Sequence, residues 1–115
     1  RVYERILSSI MPGISRRGDT LTTGHLCDTT STLAVPGQSV VYVEDALVAR
    51  KGDNTNTHNT QTGTDEFGDP ICTPHTASIT GSSSKVYVVN ELVARIGDAV
   101  DAGSLTSGST KVFSG

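Results

Sequence analysis

Three histidines and two cysteines are the residues of this chain best suited to chemistry. His25, His58 and His75 are its only imidazoles, and Cys72 stands three positions before His75. At that spacing a thiolate and an imidazole can meet one ion from a single turn, which Pro74 would stiffen. Three imidazole nitrogens and one sulfur make a closed tetrahedron, a donor set suited to Zn2+ better than to Mg2+ or Ca2+. The expected metal ligands are therefore His25, His58, Cys72 and His75, around a structural zinc, with iron as the alternative ion. Cys27, two residues from His25, can also reach such a site. A Cys27–Cys72 disulfide is the competing use of the two sulfurs. With no signal peptide evident, Cys27 is expected instead to be a buried or idle thiol.

Catalysis by this set is not expected. A hydrolytic zinc needs an open coordination position and a placed general base. The chain has no HExxH and no glutamate beside a candidate ligand. If all three histidines bind metal, none is left to activate a serine or threonine. The expectation is a protein that is not an enzyme.

What must position these residues is a repeat. Val41-Tyr42-Val43-Glu44-Asp45-Ala46-Leu47-Val48-Ala49-Arg50-Lys51-Gly52-Asp53 returns almost intact as Val86-Tyr87-Val88-Val89-Asn90-Glu91-Leu92-Val93-Ala94-Arg95-Ile96-Gly97-Asp98. Each copy reads as strand, polar turn, strand and a Gly-Asp stop. Ile14-Ser15-Arg16-Arg17-Gly18-Asp19 echoes the second half of the unit, and Gly108-Ser109-Thr110 before Val112-Phe113 echoes its front. Roughly three pseudo-repeats result, the first lacking its front and the last its back. A polar loop follows each Gly-Asp. The first reaches His25, the second His58, and the third Gly103 without a histidine. Asp19, Asp53 and Asp98 are expected to accept loop N–H bonds. Residues 54–70, dense in Asn, Thr, Gly and Asp, read as one long polar loop.

Composition supports a small all-β domain. The chain has 115 residues, 35% hydrophobic and 4% aromatic, with no Trp. So thin a core usually needs a staple such as a metal. The net charge of −3, with basic residues spread along the chain, offers no track for phosphates, and no nucleic-acid partner is expected. No apolar run is long enough to span a bilayer. Residues 1–10 read as an N-terminal extension, a short helix or a docking leader, and residues 11–115 as the domain.

The combination of motifs resembles the PAAR-repeat family. Met11-Pro12-Gly13-Ile14-Ser15-Arg16-Arg17-Gly18-Asp19 is a divergent form of that family's opening. The two Val-Ala-Arg-x-Gly-Asp copies match its pattern more closely, as do Gly81-Ser82 before Lys85-Val86-Tyr87 and Gly108-Ser109 before Lys111-Val112-Phe113. The resemblance covers residues 11–115. It implies a cone-shaped β-domain with three-fold pseudosymmetry, metal-stapled at its apex. Such cones cap the trimeric β-helical spike of contractile injection machines. The family's apex zinc, held by three histidines and one cysteine, maps onto His25, His58, Cys72 and His75.

On this reading one tip chain caps each spike trimer and touches the target envelope transiently. It offers each spike subunit a similar strand edge through Val41, Tyr42, Val43, Val86, Tyr87, Val88, Val112 and Phe113. The setting expected is a virion tail tip, with a type VI secretion spike recruiting effectors as the alternative. Such a protein is made in the bacterial cytoplasm without a signal peptide. Rival readings are a zinc-stapled module that binds a surface ligand and a metallohydrolase.

Overall fold

Residues 11–115 are described by the computed structural model, and the expected extension, residues 1–10, lies outside them. Ten short strands form five antiparallel pairs: β1 (Thr20–Thr22) with β2 (Thr30–Thr32), β3 (Tyr42–Val43) with β4 (Ala46–Leu47), β5 (His58–Thr64) with β6 (Pro70–His75), β7 (Tyr87–Val88) with β8 (Glu91–Leu92), and β9 (Ala99–Val100) with β10 (Gly103–Ser104). There is no helix among the described residues. The domain is all-β, as the turn-rich composition requires.

The two full repeat units fold alike. Tyr42 pairs with Leu47 and Tyr87 with Leu92 across two-residue turns. Both central residues of each turn are left-handed, Glu44 and Asp45 at φ 50° and 65°, Val89 and Asn90 at 48° and 69°. That is the primed turn whose twist matches a β-hairpin. A third hairpin is assembled from the two incomplete units. Phe113 bridges Gly13, and the Ile14 amide donates to the Val112 carbonyl at 3.0 Å. Val48 donates to Val41 and Val93 to Val86 in the same way, each at 3.0 Å. What the last unit lacks at its back, the first supplies.

The Arg-x-Gly-Asp segments close a ring. Ser15 N–H donates to the Ala94 carbonyl, Ala94 N–H to Ala49, and Ala49 N–H to Ser15, all at 3.0 Å. Around it, Arg16 bridges Val48, Arg50 bridges Val93, and Arg95 bridges Ile14. Small side chains are required here, because Ser15, Ala49 and Ala94 are wholly buried where three backbones meet. Each segment is closed by its aspartate. The carboxylates of Asp19, Asp53 and Asp98 accept the amides of Arg16, Arg50 and Arg95 at 2.7, 2.8 and 2.8 Å.

Two apolar clusters sit against this ring. One joins Leu21, Leu33, Ala49, Ile79, Ala94, Val100 and Leu105. The other joins Ile14, Val48 and Val93, with Val41, Val43 and Val88 packed on it. In so thin a core every large side chain counts. Leu105→Ala is expected to lower the unfolding free energy by about 2–5 kcal/mol, read from the urea midpoint at unchanged slope.

One sequence expectation is overturned. Residues 54–70 are not a loop, since β5 and β6 form a hairpin with a turn only at residues 65–69. Strand β5 is polar on both faces and carries no apolar alternation, so periodicity could not reveal it. Beyond Gln61 and Cys72 the hairpin's hydrogen bonds, among the described residues, stay within the hairpin itself. The principal extents of 55 × 31 × 24 Å describe an elongated molecule.

Candidate metal centre

His58 and His75 face each other across the base of the β5–β6 hairpin. His25 reaches them from the loop between β1 and β2, and Asp101 from the turn between β9 and β10. Asp101 Oδ2 lies 2.8 Å from His25 Nε2, 2.8 Å from His58 Nε2 and 3.2 Å from His75 Nε2. His75 Nε2 is 3.1 Å from His25 Nε2 and 2.9 Å from His58 Nε2. Four donor atoms from three separate parts of the chain thus converge on one point. His58 is the most enclosed of the four, its side chain 4% exposed, and His75 the least at 31%.

The outer nitrogens fix what the inner ones can do. His58 Nδ1 lies 2.9 Å from the Asn56 carbonyl, and His25 Nδ1 lies 3.1 Å from the Leu26 carbonyl. A carbonyl only accepts, so each Nδ1 must carry the proton, as the hydrogen-bond partners assign it. Each neutral ring then turns an Nε2 lone pair toward a carboxylate that is itself an acceptor. Neutral imidazoles packed this way repel Asp101 and one another, and a cation at the centre removes the conflict. Tetrahedral ligation at 2.0–2.1 Å separates ligand atoms by roughly 3.3 Å, close to the spacings here. The group of four can hold a metal ion.

Burial pushes the Asp101 carboxyl up, but hydrogen bonds from His58 and His25 and the charges of His25 and His75 outweigh it and hold it below its usual value. A carboxyl lowered on folding stabilises the fold above its unfolded pKa of about 3.9 and loses that effect as pH falls through the lower folded value. Metal-free wild type should therefore lose stability relative to Asp101→Asn as pH falls below about 4. Urea unfolding of both proteins across that range checks the sign. Asparagine suits the comparison because Asp101 sits at φ 55°, a conformation Asn also tolerates.

The sequence-predicted set is corrected at its sulfur. His25, His58 and His75 come together, but Cys72 is bonded to Cys27, with Cα atoms 6.0 Å apart. No free cysteine remains, so Cys27 is not an idle thiol. The spacing argument assumed that Cys72-Thr73-Pro74-His75 turns, whereas it is strand β6. Side chains alternate along a strand, so residues three apart point to opposite faces. His75 opposes His58 while Cys72 opposes Gln61. The fourth donor is instead Asp101, which the sequence reasoning missed. Its signal was available, because the third repeat's loop lacks a histidine and carries this aspartate.

No protein-family model matches the chain, and no curated protein matches it.

Proposed function

We propose that the chain is the metal-stapled tip of a contractile injection machine, capping the trimeric β-helical spike of a phage tail or a type VI secretion apparatus. The observation that carries this reading is the backbone ring through Ser15, Ala94 and Ala49. Three similar segments, each donating to the next, support a reading of three-fold pseudosymmetry within one chain. Beside them lie the β3–β4 and β7–β8 hairpins and the Gly13–Phe113 bridge, with Tyr42 and Tyr87 58% and 65% exposed. Such a base can offer each subunit of a trimer an equivalent strand edge. The metal would be zinc, held by His25, His58, His75 and Asp101, joining segments that no large apolar cluster secures. It would be structural. All four donors come from the protein, which leaves no open position for substrate.

Binding to a trimeric β-helical spike, read by native mass spectrometry, tests the role. One chain per trimer is expected, and Val41→Asp with Val86→Asp should abolish the complex. No association, or three chains per trimer, would reject the cap. A second reading, a metal-stapled surface-binding module, is favoured by the β5–β6 hairpin with its exposed Phe67 and Ile71. Under that reading the chain would ignore the spike and stay a monomer.

A further inference from the structure

The disulfide supplies no ligand, yet it joins two of the three pieces that do. Cys27 lies two residues after His25 and Cys72 three before His75, on segments 45 positions apart. Apart from that bond, the His25 loop is fastened to the hairpin by little. The Asp28 amide donates to the Asn59 carbonyl at 3.1 Å, the Asn59 amide to the Asp28 carboxylate at 2.6 Å, and Cys27 bridges Thr60. The loop is also held in an unfavourable conformation. Gly24 and Cys27 on either side of His25 are left-handed, at φ 74° and 79°, a region that a side chain such as that of Cys27 adopts at a cost. Cys72 is exposed and Cys27 half-buried, so a reductant has access to the bond.

We propose that the Cys27–Cys72 disulfide is a redox gate on the metal centre, an inference that rests on the metal reading above. While the bond is intact, His25 is held against His58 and His75 and the donor set is preorganised. A dithiol delivers two electrons and two protons, the S–S bond breaks into two thiols, and the dithiol leaves as its own disulfide. Cys27 can then leave its left-handed conformation, the His25 loop parts from the hairpin, and the ion is held by fewer donors. The freed Cys72 does not replace His25, because its position on β6 alternates away from His75. Linkage requires the converse as well. Bound metal must make the disulfide harder to reduce, by the factor by which reduction weakens metal binding.

Zn2+ affinity, measured by competition with a chromophoric chelator, tests this on three forms of residues 1–115. These are the oxidised protein, the protein reduced with a phosphine and capped with iodoacetamide, and Cys27→Ser/Cys72→Ser. Reduction and the double substitution are each expected to weaken Zn2+ binding about tenfold or more, the scale of losing a supporting contact around a metal. The capped form serves if the double variant fails to fold, with tyrosine circular dichroism as the check. Zn2+ should also raise the dithiothreitol concentration at which half the bond is reduced. Equal affinity in oxidised and reduced protein overturns the gate and leaves the metal reading intact. Tighter binding by the capped form or the double variant also overturns it, because the intact bond would then hold His25 away from the ion. No Zn2+ bound by any form rejects the metal reading, and the gate with it.

Discussion

Purified His58→Ala protein is expected to carry no tightly held metal and to melt no higher than chelator-treated wild type. His58 is the most enclosed donor, fixed by Asn56 on one nitrogen and facing Asp101 with the other. Its removal leaves two imidazoles and a carboxylate, and the affinity of such a site should fall at least about a hundredfold, more than loss of a supporting contact costs. Metal that binds only the folded chain stabilises it by mass action, about 2.7 kcal/mol at a free concentration a hundred times Kd. EDTA should therefore lower the melting temperature of wild type and leave His58→Ala unchanged. A variant that retains one zinc per chain would remove His58 from the ligand set. Metal analysis on protein purified without added metal also identifies the ion.

The second large effect is expected at Gly24. Its φ of 74° is left-handed, and a Cβ there would stand 2.1 Å from the Ala102 carbonyl oxygen and 2.3 Å from its carbon. Neither contact is the flexible end of a side chain. Gly24→Ala must move backbone on one side or the other, and those sides carry His25 and Asp101. We expect a loss of about 2–4 kcal/mol, from the conformational term and the overlap together, and a parallel loss of metal affinity. Gly52→Ala is the control. It shares the left-handed φ, at 93°, but has nothing within 4 Å of the added carbon. Its cost should be about 1 kcal/mol, with metal binding unaffected. Equal losses at the two positions would show that the approach of Gly24 to Ala102 is not the constraint.

The repeat was legible because it is written in residues whose roles are local. Glu44-Asp45 announces a two-residue turn, the repeat carries it over to Val89-Asn90, and the Gly-Asp stops announce closed loops. The three histidines were legible because they are the chain's only imidazoles and fall beside the repeat boundaries. The sequence left out face and partner. Thr60-Gln61-Thr62-Gly63-Thr64 has no apolar side to mark it as a strand, so β5 was read as loop. Once β6 was read as a turn, Cys72 was given the direction of His75, and the error passed from backbone to chemistry. Asp101 was hidden differently. It lies far from the other donors in sequence, and only the closure of the ring brings its turn beside the β5–β6 hairpin. Its one mark in the sequence is its place in the repeat, in the loop that lacks a histidine.

The hairpin built from both ends of the domain gives the folding reaction a seam. The hairpins of β3–β4 and β7–β8 close over two-residue turns and need only local chain closure. The contacts beside the third join residues as distant as Ser15 and Ser107, 92 positions apart. Each doubling of a loop adds about 0.6 kcal/mol to the entropy of closing it, so this third junction carries roughly 3 kcal/mol more than its siblings. Such a junction gains little until the other two thirds are in place. Substitutions at Phe113 or Ile14 should then act mainly on the rate at which the finished domain opens, while those in the β3–β4 turn should also slow its formation.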